Sequence, residues 1–208
     1  KTNKNYSNDN LPLFGISDHI FKTFDDRPNL FTKREVRVQI LADLELPKNG
    51  VIWDIGAGCG SIGLEALKLR PDLDLFCFDK RIGSKSLILE NSKRLSVKPK
   101  FIFEEDINKT LNTRNLSSFE KPNRLIIGGC DKKTKLQIIK KLGISMNNGD
   151  IIVIPIIDIQ TIKELKEELE DKNFKTNLNL IQTYKSLSIA EGIRLEPNNP
   201  VFLLKGKK

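Results

Sequence analysis

At 208 residues, 38% hydrophobic and 30% charged, the chain suffices for one α/β domain with a well-buried core; its longest apolar run, Ile151 to Ile157, falls far short of the ~20 residues that cross a bilayer. Three cysteines without C-x-x-C spacing and a single histidine argue against a disulfide framework, a structural zinc site or a Ser-His-Asp triad. They favour a reducing, cytoplasmic setting, and no secretory signal opens the chain. The net charge of +8 suits an anionic partner, either nucleic acid or a polycarboxylate small molecule, although the same charge follows from a Lys- and Asn-rich coding bias alone.

Residues 1 to 12 are polar and Asn-rich and predict a mobile start to an N-terminal extension over 1–31, ahead of a single domain over 32–208. Thr32-Lys33-Arg34-Glu35 fits the S/T-x-x-E capping box. Val36, Ile40, Leu41 and Leu44 follow at helical spacing, until Pro47 and Gly50 end the element. Strands and helices then alternate: a strand at Val51–Ile55, a helix from Ser61 to about Arg70, a strand at Leu73–Asp79 and a helix from about Ser84 to Leu95. A third strand is predicted at Lys100–Glu104 and a fourth at Arg124–Ile127. A helix over Lys132–Leu142, a strand over Asp150–Ile157 and a helix from about Ile159 to Asp171 come next. Two longer strands, Phe174–Ser188 and Pro200–Lys205, close the chain. Repeated β-α units imply a mostly parallel sheet covered on both faces, and the last two strands, with no helix between them, imply an antiparallel hairpin. The expected fold is α/β: a Rossmann-like, seven-stranded class I methyltransferase architecture.

Functional signal concentrates in the turn Asp54-Ile55-Gly56-Ala57-Gly58-Cys59-Gly60, at the carboxyl end of the first strand, where doubly wound sheets bind ligands. Glycines allow close backbone approach, and the helix beginning at Ser61 adds oriented N–H groups. Gly58-x-Gly60-x-x-Gly63 also matches the dinucleotide fingerprint. Asp54, however, would repel a pyrophosphate and suits a ligand carrying an ammonium and a sulfonium. S-adenosylmethionine is therefore favoured over NAD or a purely structural turn. Asp79, ending the second strand with Lys80 beside it, is placed to accept ribose hydroxyls. Asp106, after the third strand, is either an adenine contact or a helix N-cap. The fourth strand ends in Gly128-Gly129-Cys130, without the carboxamide and aromatic pair that clamps a flipped base, which lowers the nucleic-acid reading.

Beyond these residues the chain resembles the decarboxylating methyltransferase module of the precorrin-6Y methyltransferase family. The similar segments are Gly15-Ile16-Ser17-Asp18 with Phe21, Leu30-Phe31-Thr32-Lys33-Arg34-Glu35-Val36-Arg37 and Trp53-Asp54-Ile55-Gly56-Ala57-Gly58 through Gly60-Ser61. Ile127-Gly128-Gly129 and Asn199-Pro200-Val201-Phe202 complete them, in the family's order. The resemblance implies methylation of carbon 15 of a corrin precursor with loss of carbon dioxide from an acetate side chain, in cobalamin biosynthesis. It implies a homotetramer built partly through the terminal hairpin, and fusion to or pairing with a carbon-5-methylating domain, which the initial Lys1 in place of Met would fit. The cofactor contacts expected are Thr32, Asp54, Gly56, Ala57, Gly58, Gly60, Ser61, Asp79, Lys80, Asp106 and Gly128. Lys33, Arg37, Gly129, Lys132 and Arg194 are the substrate candidates, with Lys133 and Arg34 nearby; a cationic rim would orient a polycarboxylate tetrapyrrole. No metal ligand and no catalytic side chain is assigned. Cys130-Asp131-Lys132 departs from the small residues usual in the family's loop, and Cys130 reads more readily as a buried thiol than as a reactive one. An RNA or protein methyltransferase and a non-catalytic adenosyl-binding subunit are the alternatives.

Overall fold

The computed structural model describes residues 11–28, 31–113 and 119–208. The mobility expected of residues 1 to 12 therefore falls almost wholly outside the described residues. Parallel strands β1 (Gly50–Ile55), β2 (Leu73–Phe78), β3 (Phe101–Phe103), β4 (Arg124–Ile127) and β5 (Ile151–Ile156) alternate with helices α2 (Ser61–Leu69), α3 (Ser84–Leu95), α4 (Ile107–Thr113) and α5 (Lys132–Leu142). Helix α1 (Arg34–Asp43) precedes them, and α6 (Ile162–Asp171) follows. Strands β6 (Lys175–Ile181) and β9 (Val201–Lys207) are antiparallel, giving a seven-stranded sheet ordered β3-β2-β1-β4-β5-β9-β6. Strands β7 (Tyr184–Ile189) and β8 (Gly192–Pro197) form a separate hairpin.

The pleat sorts the side chains of each strand onto two faces. Ile52 of β1, Leu75 and Cys77 of β2 and Ile126 of β4 pack on one side with Ile40 of α1, Leu64 of α2 and Ile88 of α3. Trp53, Phe76, Phe78, Leu125 and Ile127 pack on the other with Leu111 of α4, Ile138 of α5 and Leu165 of α6. The second face is strongly aromatic: ring centroids lie 4.9 Å apart for both Trp53–Phe78 and Phe78–Phe103. Ile16, Ile20 and Phe21, within the stretch expected as an extension, belong to the first core.

Three expectations are corrected. The capping box at Thr32 does not form. Lys33 occupies the N-cap position without a side-chain cap, the Thr32 carbonyl accepts from Arg37 Nη1 at 2.8 Å, and Glu35 Oε2 is buried without a hydrogen-bond partner. The buried guanidinium thus captures the chain just ahead of the helix and sets where it begins. The single strand expected over Phe174–Ser188 is two strands: Gln182 and Thr183 separate β6, in the main sheet, from β7, in the hairpin. Arg194, a substrate candidate, consequently lies within β8. Helix α4, absent from the expected elements, starts behind Asp106, whose Oδ1 accepts from Asn108 N at 2.9 Å, so the N-cap role is real.

Candidate functional site

The carboxyl ends of β1, β2, β3 and β4 converge on one cleft, and the backbone decides its shape. After β1, the N–H groups of Gly56 and Ala57 both donate to the Phe78 carbonyl, at 2.8 and 3.1 Å, folding the glycine-rich turn over the end of β2. Gly56 adopts φ +73°, and a Cβ there would lie 2.5 Å from Gly129 N. The turns after β1 and β4 therefore touch backbone to backbone, a proximity open only to glycine. Gly128 N donates to the Ile55 carbonyl at 2.7 Å and closes the same junction.

Asp79 follows β2 and fixes the other side of the turn. Its Oδ2 accepts from Gly58 N at 2.7 Å, and its Oδ1 accepts from Arg81 N at 2.9 Å. A carboxylate offers about four acceptor positions, so both oxygens retain capacity for hydroxyl donors on a ligand. Asp54 lies beneath the turn, buried, with Oδ2 accepting from Gly63 N at 3.1 Å. Burial, with the Asp79 charge adding to it, raises its carboxyl from 3.8 to about 7. A neighbouring cation would favour its ionised form.

Gly56, Asp79, Lys80, Asp106, Gly129 and Cys130 are among the residues lining the cleft. The Cys130 thiol is pushed up by burial to about 11 and is neutral at physiological pH, which argues against a reactive thiolate. Asp131 caps α5: its Oδ1 accepts from Thr134 N at 2.8 Å and its Oδ2 accepts from the Thr134 hydroxyl at 3.1 Å. The unusual acid in this turn thus has a structural task.

The expected cofactor residues mostly converge here. Gly58 is bonded to Asp79, Gly128 adjoins Gly129, and Gly60 and Ser61 open α2 below the turn. Thr32 does not join them; it sits on the Arg37 guanidinium. The expected substrate residues are scattered. Lys33 lies over the Phe31 ring at 4.3 Å, Lys132 pairs with Glu164 at 2.8 Å and Arg194 faces Glu196 at 3.7 Å. Arg37 is fully buried; its Nε donates to Glu65 Oε2 at 2.7 Å, with further bonds to Asp18 and the Thr32 and Ile16 carbonyls. Its donors serve the protein's own interior.

Sequence reasoning passed over two residues. Glu104, at the end of β3, accepts from Gly83 N and Lys85 N, each at 3.0 Å, and so caps α3 from a neighbouring strand. Lys135 is buried and donates to the Gly128 carbonyl at 2.8 Å and to that of Cys130. It shares the apolar stripe of Ile138, Ile139 and Leu142 at helical spacing, and a lysine on such a stripe was the available signal.

A cleft at the carboxyl edge, over a sheet whose β9 is inserted antiparallel between β5 and β6, defines a Rossmann-like methyltransferase. A tRNA (m1A58) methyltransferase from Aquifex aeolicus shares this fold at 15% identity and TM-score 0.64, over 92% of this chain and 74% of that one. Within this class the chain belongs to the precorrin methyltransferase domain family, whose model matches residues 23–208. It is 29% identical over 203 residues to a probable cobalt-precorrin-6B C(15)-methyltransferase (decarboxylating) of Saccharolobus solfataricus, covering 96% of this chain and 98% of the relative. A precorrin-6Y C5,15-methyltransferase structure from Geobacter metallireducens is similar at 27% identity and TM-score 0.82, over 96% of this chain and 100% of that one.

Proposed function

We propose that this protein is an S-adenosylmethionine-dependent methyltransferase of cobalamin biosynthesis. It methylates carbon 15 of a cobalt-precorrin-6B-type polycarboxylate tetrapyrrole and releases an acetate carboxyl as carbon dioxide. The observation that carries the cofactor half is the Gly58–Asp79 hydrogen bond, which joins the glycine-rich turn to an acid at the mouth of the cleft. The substrate half rests on the family match and on the activities for which relatives spanning nearly the whole chain are named.

Bound S-adenosylmethionine supplies an electrophilic methyl group. The chain's residues then have a task of binding and alignment, because an electron-rich macrocycle needs no protein nucleophile. Asp79 accepts the ribose hydroxyls, Asp54 provides negative charge below the turn, and Asp106 borders the adenine. The Gly128-Gly129 floor leaves the macrocycle room to lie flat, while Lys33, Lys132 and Arg194 supply cations farther out, for carboxylates at its rim. Localisation is cytoplasmic. The assembly is a homotetramer in which the β7–β8 hairpin meets a second copy, since Ile193 and Leu195 are large apolar side chains left exposed on it. Pairing with a carbon-5-methylating domain completes the proposed setting.

Calorimetry against S-adenosylhomocysteine, NAD and a short RNA at fixed salt tests the cofactor class. Binding of S-adenosylhomocysteine alone is expected. Binding of NAD alone, or of none of the three, would overturn the reading, and steeply salt-dependent RNA binding would favour an RNA substrate.

A further inference from the structure

Lys135 stands in the first turns of α5, close to the helix N-terminus, where a cation is disfavoured by the helix dipole, and it is buried besides. Burial pulls its ammonium below the usual lysine range, while Cys130 and Asp131 act in the opposite direction. The Cys130 thiol is neutral, and the Asp131 carboxylate is engaged with Thr134. The Lys135 hydrogen bonds run to peptide carbonyls, those of Gly128 and Cys130. A buried charge is costly unless something answers it. The two carbonyls belong to the turn that floors the cleft, where Gly129 abuts Gly56. Without Lys135 both oxygens would add to the negative potential of a cleft already lined by Asp79, Glu105, Asp106 and Asp131.

We propose that Lys135 is a positioning residue for an anionic methyl acceptor: its ammonium draws the Gly128 and Cys130 carbonyls into hydrogen bonds and makes the cleft floor electropositive beneath the acceptor's carboxylates. The inference rests on the methyltransferase reading and adds a second charge layer, below the backbone, to any cations at the rim. It also accounts for the presence of a lysine on an otherwise apolar helix stripe.

The test uses the full chain, cobalt-precorrin-6B as acceptor and S-adenosylhomocysteine as the probe of the cofactor half. Lys135→Gln keeps a donor and loses the charge; Lys135→Arg keeps both. We expect Lys135→Gln to raise the acceptor KM about tenfold or more, the scale of one charge-assisted contact, with S-adenosylhomocysteine affinity within about twofold of wild type. Lys135→Arg should recover most of the loss. An unchanged KM in Lys135→Gln, or KM and cofactor affinity failing together in both variants, would overturn the proposal. Should Lys135→Gln not fold, the pH profile decides. Wild-type KM should rise on the alkaline side as Lys135 deprotonates among Cys130, Asp131, Asp79 and Lys80, and Lys135→Arg should abolish that rise; its persistence would overturn the proposal. A wild-type chain that binds no S-adenosylhomocysteine would overturn the methyltransferase reading and this proposal with it.

Discussion

Arg37 of α1 and Glu65 of α2 form a fully buried ion pair, Nε to Oε2 at 2.7 Å. It also organises the chain ahead of α1: Glu65 Oε1 accepts from the N–H groups of Gly15 and Ile16, and Arg37 holds the Ile16 and Thr32 carbonyls. Removing one partner of such a pair strands the other. Arg37→Leu should therefore cost about 3–5 kcal/mol in urea unfolding, and the double change Arg37→Leu with Glu65→Leu should cost less than the two single changes summed. Strict additivity would mean that the pair is not coupled.

Gly63 of α2 and Gly58 of the glycine-rich turn should fail in different ways. At Gly63 a Cβ would meet Leu75 Cδ1 at 2.8 Å and Asp54 Oδ2 at 3.0 Å, so Gly63→Ala should destabilise the fold by about 1–3 kcal/mol through overpacking. At Gly58 nothing lies within 4 Å of that position, although φ is +59°. Gly58→Ala should cost the fold only about 1–2 kcal/mol of left-handed strain but weaken S-adenosylhomocysteine binding by obstructing the turn's open side. Paired melting curves and calorimetry separate the two effects.

Asp79→Ala removes the acceptor of both Gly58 N and Arg81 N as well as the proposed ribose contact. Cofactor affinity should fall by about 1–3 kcal/mol, the usual cost of polar groups left unpaired. Calorimetric affinity equal to wild type would take Asp79 out of the site.

Asp54 gives the protein a pH dependence of defined sign. Its carboxyl rises from 3.8 to about 7 on folding, so the native state holds a proton that the unfolded chain has released. The stabilisation from the protonated form is full below about pH 4 and is lost as the pH climbs through about 7. Asp54→Asn should remove that decline. Stability curves of the two proteins should converge at acid pH and separate between pH 4 and 7, with the variant the more stable at pH 8; parallel curves would refute the buried titration.

If the hairpin joins copies of the chain, Ile193→Lys with Leu195→Lys should shift sedimentation toward smaller species while leaving the melting of the main sheet in place. An unchanged sedimentation coefficient would remove the hairpin from the interface.

Much of this was legible in the sequence, because the parallel strands are short apolar runs bounded by turn residues. Arg124–Ile127 and Lys132–Leu142 fall where the pattern puts them. The exposed hairpin was harder to read. Its strands have no buried face, so Leu187, Ile193 and Leu195 carry no core-facing alternation to mark where β6 stops and β8 starts. In the site, the glycine-rich turn and Asp79 were visible because their chemistry is local. Arg37 and Lys135 were misjudged or missed because a cation in a string of residues does not reveal which interior oxygens will claim it.

The placement of β9 between β5 and β6 bears on how the protein is made. On the ribosome β5 and β6 are both finished before the strand that separates them exists, and each must wait with an unpaired edge. Such edges recruit other chains, and pairings distant in sequence close slowly. The interval between synthesis of Ile181 and of Lys207 is therefore one in which the chain is open to aggregation. A slowed ribosome or a displaced C-terminal strand would be felt as lost yield of soluble protein rather than as a defect in chemistry.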